Sequence, residues 1–406
     1  MAGGVNQSYL RVKNQRSVLD AVLKQGPVSK AELARLLGAS KPAMADNVSR
    51  LMEIGIFTQN EDNPGGKSGS RGENAGPSGR RPVLLDIKKD FRFIITIDFT
   101  YLNTRFDLFN LKGEGVSSFS VKQTPSQKFG RWVSMCVNAA ETLLNAQNLD
   151  PGSLAAIGIS SPGIINEELD EVTIVPLFGE FNPLALRKHL AEQFGCPVYI
   201  RNSTNAAALG EYAEGAGRGS VNMLYISCGQ GLGAGIILDG KIYEGSCRAA
   251  GEIANFITKE TLGLEESLEK RIGIDGLLDR FLKEPSNASR LPREGGMKRE
   301  ALFENVLELW RKGDPFIAGE LKNIAFELGV LICDMVMLLN CDHVVLGGEY
   351  HVFSKDIIPE VANMIQKHCI VPAGVAVSRL GERAAGVGMA AVCREIFFDC
   401  LCEVKE

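Results

Sequence analysis

The sequence predicts an N-terminal winged helix-turn-helix domain followed by a larger α/β body, and three observations support this fold class. First, three short helical patterns and two strand patterns follow one another between Asn14 and Leu85. Second, strands alternate with helices from Phe91 onward. Third, residues 1–89 hold 14 Lys/Arg against 8 Asp/Glu, a balance of +6, whereas residues 90–406 hold 30 against 41, a balance of −11. With 406 residues, 45% of them hydrophobic, the chain can bury a core in both parts.

Two predicted helices open the chain. Asn14 caps the first, which ends at Gly26. Ser29 and Glu32 have the spacing of a capping box, in which a hydroxyl and a carboxylate bond free amides of the first turn, and Gly38 ends this second helix. The predicted buried residues are Val18, Leu19, Val22 and Leu23 in the first helix and Leu33, Leu36 and Leu37 in the second.

A third predicted helix begins at the cap residue Ser40, tolerates Pro42 in its first turn and ends at Gly55. Its inward face is predicted to consist of Met44, Val48 and Leu51. A capped helix that follows a glycine turn is typical of the helix that enters the major groove of DNA. The predicted DNA contacts are Ser40, Lys41, Ala43, Asn47 and Arg50 on this helix, with Arg80 and Arg81 beyond it.

Residues 56–58 and 83–85 are predicted to be the two strands of the wing. The Gly/Ser-rich segment 60–81 between them is a long wing loop, and Arg80 and Arg81 suit a narrow minor groove, where the potential is most negative. The alternative is a protein-interaction module built from the same three helices and hairpin.

The body is predicted from strands that run into polar or glycine-rich loops. These strands are residues 92–99, 105–109, 157–160, 198–202, 224–227, 236–238 and 344–346. Glycines after strands allow backbone amides to approach a phosphate, but turns also need glycine, so each loop alone is weak evidence for a nucleotide site.

The order of the motifs carries more information than any single loop. The first motif is Asp98 near the end of a strand, and the second is a Pro-Gly loop that ends at Gly163. The motif Asn-x-x-Asn-Ala-Ala then starts at Asn202. A loop with alternating glycines at 229–235 and the motif Gly-Glu-Ile at 251–253 follow. This order resembles the ROK family (repressors, open reading frames and sugar kinases). The resemblance covers about residues 11–395 and implies an actin-like, ribonuclease-H-like body of two α/β lobes around a cleft. ROK repressors similarly place a winged helix-turn-helix before this body.

The resemblance implies three domains: a DNA-binding domain at 1–88, a first lobe at 89–201 completed by a C-terminal helix at about 385–406, and a second lobe at 202–384. It also exposes lost kinase features. Family kinases carry Asp-x-Gly-Gly/Ala-Thr where residues 98–102 read Asp-Phe-Thr-Tyr-Leu, and Ser203 stands at the position of the catalytic aspartate. A serine hydroxyl is no general base near neutral pH without a base of its own. Catalysis is therefore not expected.

Family members commonly bind a structural zinc through a histidine and three cysteines. Residues 248–332 contain neither residue type, so the prediction is that no metal and no cofactor binds. The resemblance assigns family sugar contacts to Gly163, Asn202 and Glu252, with Asn255 in place of the histidine. The alternative is that Asn202 and Glu252 only cap a helix or pair locally.

These inferences predict a cytoplasmic transcriptional regulator, most simply a repressor of carbohydrate-related genes. The expected partners are double-stranded DNA with a palindromic operator, further copies of the chain in a dimer or tetramer, and a sugar-like effector. Two alternatives remain: an active sugar kinase with a regulatory head, and a DNA-binding scaffold that no small molecule controls. No membrane contact is predicted, because Asp334 interrupts the most apolar stretch, 328–339, below membrane-spanning length.

Overall fold

The computed structural model describes a helical head and a layered α/β body. It describes residues 7–60, 83–100, 103–123, 127–166, 171–173, 179–258, 262, 267–290 and 299–403. None of the described helices is long and apolar enough to span a membrane. Seven of the ten cysteines are buried, and all ten are free thiols.

The head contains three helices: α1 (Gln7–Gln25), α2 (Lys30–Leu36) and α3 (Lys41–Ile54). The capping box is present, because the Glu32 amide donates to Ser29 Oγ at 3.2 Å and the Ser29 amide donates to Glu32 Oε2 at 3.0 Å. Ser40 Oγ accepts from the Ala43 amide at 3.4 Å, and Gly55 ends α3 with a φ of +86°. The boundaries predicted for the second and third helices are thus confirmed.

Two expectations for the head are wrong. Helix α1 begins at Gln7 rather than at Asn14, so Asn14 is an internal helix residue. Leu36 and Leu37 are 49% and 36% exposed rather than buried, because the short α2 turns only Leu33 and Ala34 into the core.

A three-stranded antiparallel sheet completes the head. Its strands are β1 (Val28–Ser29), β2 (Phe57–Asn60) and β3 (Leu84–Ile87), in the order β1-β3-β2. The predicted pair β2 and β3 is present, whereas β1 is too short to leave a periodic signal in the sequence. The predicted wing loop and its Arg80 and Arg81 lie outside the described residues.

The first lobe is built on a five-stranded sheet in the order β10-β7-β4-β5-β6. Its strands are β4 (Phe93–Phe99), β5 (Asn103–Asn110), β6 (Gly115–Lys122), β7 (Leu154–Ser161) and β10 (Val198–Asn202), and a two-stranded ladder of β8 (Ile164–Asn166) and β9 (Glu171–Thr173) stands apart. Helices α4 (Phe129–Ala146) and α5 (Pro183–Phe194) cover one face through a core that includes Trp132 and Leu190. Because β10, β7 and β4 are parallel, their carboxyl ends share one edge.

The second lobe is built on a sheet in the order β13-β12-β11-β14-β15. Its strands are β11 (Met223–Cys228), β12 (Leu232–Leu238), β13 (Lys241–Ile242), β14 (His343–Gly347) and β15 (Gly374–Val377). Its outer helices are α7 (Leu268–Ile272), α8 (Ile274–Lys283), α9 (Arg299–Arg311), α10 (Pro315–Leu339) and α11 (Ser354–His368). The described part of the segment before α8 becomes helical only at Leu268, after the cap residue Ser267.

Helices α6 (Ser203–Glu214) and α12 (Ala384–Glu403) form the layer between the two sheets. They are in backbone contact: a Cβ atom on Gly210 would lie 2.0 Å from the Ala384 carbonyl oxygen, and one on Gly388 would lie 1.8 Å from that of Ala206. Only glycine allows this separation. The carboxylate of the buried Glu211 accepts hydrogen bonds from Ser378 Oγ and the Leu380 amide at 2.6 and 2.8 Å, which ties α6 to the segment before α12.

The head docks on the body through α1 and α12. Arg16 donates to Glu395 Oε2 at 2.7 Å, to Asp399 Oδ1 at 2.8 Å and to the Glu395 carbonyl oxygen at 2.8 Å. Its guanidinium also lies 5.5 Å from the ring centroid of Phe398. The head and the α6–α12 layer therefore share one hydrophobic cluster.

Candidate functional site

The exposed face of α3 differs in part from the predicted one. Lys41 and Ala43 are exposed and Arg50 is half-buried, as a surface that contacts a partner requires. Asn47 is wrongly placed by the prediction: it is 9% exposed, and its Nδ2 donates to the Ala43 carbonyl oxygen at 2.9 Å within the helix. Ser40 is engaged as the helix cap.

Sequence reasoning missed three exposed residues of α3, namely Ala45, Asp46 and Ser49. The helical period itself contained this information. Asn47 follows Met44 by three residues and precedes Leu51 by four, so it belongs to the same stripe as the apolar residues. The outer face of α3 is centred on residues 42, 43, 46, 49 and 50.

Asn202, at the end of β10, bonds both the start of α6 and the loop that follows β7. Its Oδ1 caps α6 by accepting from the Thr204 and Asn205 amides at 2.9 and 3.2 Å. Its Nδ2 donates to the Gly163 carbonyl oxygen at 2.9 Å, and Gly163 has a φ of +89°, which favours glycine. The structure thus brings Asn202 and Gly163 together and gives Asn202 the local capping role that was the alternative to a sugar contact.

Glu252 lies close to the start of α6, because β12 links the two elements. The Ala234 amide donates to the Gly251 carbonyl oxygen at 2.8 Å, and a Cβ atom on Gly233 would lie 3.0 Å from Thr204 Oγ1. Glu252 is half-buried, and its carboxylate makes no hydrogen bond within the described part of the chain. Burial, with a smaller contribution from the charge of Glu269, raises the pKa of Glu252. Asn255 is exposed at the end of the same 3₁₀ turn.

The glycine loop that precedes β12 is held by the chain's own carboxylates. Glu349 Oε2 accepts from the Gln230 amide at 3.3 Å, and Glu269 Oε2 accepts from the Leu232 amide at 3.1 Å. A Cβ atom on Gly229 would lie 1.7 Å from Glu349 Oε2, so the carboxylate rests directly on the loop. These amides are the type of donor that holds a phosphate, and here two anions already occupy them.

Ser203 and Asp98 are the residues at which the sequence predicts lost kinase features. Ser203 is the half-buried first residue of α6, and its hydroxyl makes no hydrogen bond to another described residue. Asp98 is buried and accepts from Ser160 Oγ at 2.5 Å, and burial raises its pKa to about 6. Thr100 Oγ1 donates to the Asn103 carbonyl oxygen at 2.9 Å, so its hydroxyl closes a local turn. Tyr101 lies outside the described residues.

Within the described ranges, no group of three or more His, Cys, Asp or Glu side chains has the arrangement of a metal site. Of the residues that the resemblance assigned to a sugar site, Glu252 and Asn255 present a carboxylate and an amide whose side chains make no hydrogen bond within the described part of the chain. Both are suited to hydroxyl groups.

Comparisons with known proteins agree with this architecture. A family model described as "ROK family" matches residues 94–396. A xylose repressor of Caldicellulosiruptor bescii is 25% identical over 402 residues, which cover 95% of this chain and 96% of that protein. The structure of a ROK family transcriptional regulator described as a homolog of the E. coli MLC protein superposes with a TM-score of 0.76 at 21% identity, covering 97% of this chain and 98% of that one. A ROK family glucokinase from Streptomyces griseus, in complex with glucose and AMPPNP, gives a TM-score of 0.62 at 23% identity over 74% of this chain and 98% of its own. The predicted two-lobed α/β body is thereby confirmed.

Proposed function

Because the chain belongs to the ROK family, we propose that it is a DNA-binding transcriptional repressor whose head reads duplex DNA and whose body senses a sugar-like effector. The observation that carries this proposal is the head itself. The likeness to a xylose repressor extends over 95% of the chain, head included, whereas the likeness to a glucokinase fold covers 74%.

The head supplies the DNA-binding part as a winged helix-turn-helix. Helix α3 follows the turn after α2, is capped at Ser40 and presents Lys41, Ala43 and Arg50 on its outer side. Cations at the start of such a helix bond phosphates or base edges in the major groove. Arg80 and Arg81 of the wing segment complete the set as minor-groove contacts. We assign residues 1–88 to this domain.

The body, comprising a first lobe at 89–201 with the C-terminal helix and a second lobe at 202–384, acts without catalysis. Ser203 provides no base, and Glu349 and Glu269 fill the loop that holds phosphates in a kinase. Two unit charges 4 Å apart interact by about 4 kcal/mol at an effective dielectric constant of 20, which is roughly a 10³-fold loss in affinity for each carboxylate beside a phosphate. ATP turnover is therefore not expected.

The effector is an uncharged polyol of the sugar class. Glu252 and Asn255 offer an acceptor and an amide for its hydroxyl groups, while Asn202 and Gly163 shape the edge of the cleft. The neighbouring carboxylate of Glu269 disfavours anionic sugars. A sugar effector also fits control of carbohydrate-related genes.

The test starts with genomic duplex fragments recovered by the purified protein, followed by gel shifts at two salt concentrations. Lys41→Ala and Arg50→Ala should each weaken binding by about 1–3 kcal/mol, because each removes a cation from the outer side of α3. Lys122→Ala, on the exposed strand β6 of the body, is the matched control and should bind as wild type. Equal binding by all four proteins would contradict the assignment of α3.

Effector sensing has its own measurement. Thermal shifts with a panel of neutral and phosphorylated sugars should find stabilisation by a neutral sugar only, and Glu252→Ala should abolish it. Stabilisation by phosphorylated sugars alone would contradict the proposed effector class, and sugar-dependent ADP release by wild type would contradict the absence of catalysis.

A further inference from the structure

The thiols of Cys333 and Cys369 lie side by side in the second lobe. Cys333 is on α10, and Cys369 directly follows the last residue of α11. Cys369 Sγ lies 3.8 Å from the Cys333 carbonyl oxygen, and it also forms a hydrogen bond with the Cys333 thiol. Because the two cysteines are 36 positions apart in the chain, this contact is a product of the folded lobe.

The close packing of α10 and α11 produces the contact. One helical turn before Cys333, a Cβ atom on Gly329 would collide with Met364 Sδ, so this glycine allows the two helices to approach. Met364 precedes Cys369 by five residues, which places both cysteines one turn further along the same helix pair. A disulfide bond is about 2 Å long, so two thiols in hydrogen-bond contact need to approach by only about 2 Å.

The two thiols differ in their access to solvent. Cys333 is 8% exposed, whereas Cys369 is half-buried and can be reached by a small molecule. We propose that Cys333 and Cys369 are a redox-sensitive pair that a hydroperoxide converts to a disulfide, with Cys369 as the attacking thiol and Cys333 as the resolving thiol. An accessible cysteine beside a resolving one is the arrangement that redox sensors use.

The oxidation takes two steps. In the first, Cys369 Sγ attacks one oxygen of hydrogen peroxide; the S–O bond forms, the O–O bond breaks, and the second oxygen leaves as water with the thiol proton. In the second, Cys333 Sγ attacks the sulfur of the resulting sulfenic acid; the S–S bond forms, the S–O bond breaks, and the hydroxyl group leaves as water with the Cys333 proton. The thiol pair loses two electrons, and one peroxide is reduced to two water molecules. A dithiol reductant reverses the change by thiol–disulfide exchange.

Burial favours the disulfide once it has formed. Desolvation, with a smaller contribution from the hydrogen bond with Cys369, raises the pKa of Cys333 to about 12. Reduction would have to release a thiolate that these surroundings disfavour, whereas the disulfide is uncharged. The same raised pKa slows the second step, because the thiolate is the nucleophile, so the pair responds to sustained exposure to peroxide.

The disulfide would join α10 to α11 and enclose residues 334–368. This span contains β14 and Glu349, whose carboxylate accepts from the Gln230 amide of the glycine loop. Oxidation would therefore fix the part of the second lobe that supports the cleft. This response to redox state lies beyond the proposed function and does not depend on it.

Peptide mapping of the full chain under non-reducing conditions tests the pair. After exposure to hydrogen peroxide, two of the ten thiols should be lost, and mass spectrometry should find the peptides of Cys333 and Cys369 joined. The melting temperature should rise by roughly 5 °C, because the bond closes a loop in the unfolded chain, and dithiothreitol should reverse both changes. Cys247→Ser, which removes an exposed cysteine outside the pair, is the matched control and should form the same disulfide.

Two single variants separate the roles of the two thiols. Cys333→Ala should stop at a sulfenic acid on Cys369, which dimedone traps, and should show no rise in melting temperature. Cys369→Ser changes a half-buried side chain by one atom, and it should form neither the disulfide nor a dimedone adduct on Cys333. Three results would overturn the proposal: no joined peptides from oxidised wild type, a disulfide that forms only after denaturation, or an equal rise in melting temperature in Cys369→Ser.

Discussion

Replacing Arg16 by Met is expected to release the head from the body. The substitution keeps a long apolar side chain beside Phe398 but removes the guanidinium that bonds Glu395 and Asp399. Arg16 forms ion pairs that connect α1 to α12, and its own side chain is only 15% exposed.

The size of the effect follows from the exposure of the partners. The side chains of Glu395 and Asp399 are 56% and 59% exposed, so each ion pair contributes only about 0.5 kcal/mol. The bond from Arg16 to the Glu395 carbonyl oxygen adds about 1 kcal/mol, and the cation–π contact with Phe398 adds roughly 0.5 kcal/mol. The loss is about 2.5 kcal/mol, which raises the population of undocked heads roughly 70-fold.

Hydrogen exchange measures this population directly. Peptides from α1 and from the end of α12 should exchange faster in Arg16→Met by up to the same factor, while the outer helices of the second lobe keep wild-type rates. Asp20→Asn is the control, because it removes only the pair that Arg16 makes within α1 at 3.0 Å. Unchanged exchange in α1, or equal acceleration by Asp20→Asn, would refute the docking role of Arg16.

Three further substitutions test the interior. Glu211→Gln should lower the free energy of unfolding by about 3 kcal/mol, measured by guanidinium denaturation. The fully buried carboxylate accepts hydrogen bonds from Ser378 Oγ and from backbone amides, and the new side-chain NH₂ group would face these donors with a donor of its own. Arg394→Met should raise the melting temperature, because Arg394 is 6% exposed and its Nε has no hydrogen-bond partner among the described residues. A lower melting temperature would contradict this reasoning and would show that the charge of Arg394 stabilises the fold. Burial raises the pKa of Asp98 from 3.8 to about 6, so the folded state keeps a proton that the unfolded state releases. The free energy of unfolding should therefore fall by about 3 kcal/mol between pH 4 and 6. Asp98→Asn should remove this pH dependence, because the amide oxygen can still accept from Ser160 Oγ but does not titrate.

Local signals in the sequence predicted the parts of the fold that local physics determines. The capping box at Ser29 and the left-handed stop at Gly55 act within a few residues, and both are present. The helical period places Asn47 in the buried stripe, so the prediction that its polar side chain faces DNA is wrong. A polar residue in such a stripe is compatible with burial when it bonds its own helix, as Asn47 does.

The cleft was less predictable because its key contacts join distant segments. Glu349 is 119 residues from Gln230, and Glu269 is 37 residues from Leu232. No periodicity connects such pairs, so the occupied state of the glycine loop became visible only in the structure. Asn202, in contrast, caps the helix that directly follows it, and sequence reasoning had included that role as an alternative.

The position of α12 has a consequence for synthesis of the protein. This helix is the last element that the structure describes, yet it fills the layer between the first sheet and α6, and it contacts the head through a pair of residues separated by 383 positions. During translation, α1 and the inner face of β4 remain without their partner until α12 (Ala384–Glu403) has left the ribosome. The loop that must then close spans the 383 positions between Arg16 and Asp399, which makes this docking a late and slow step of folding. Loss of the final two turns of α12 would leave a complete second lobe beside an unfinished first lobe and an unattached head.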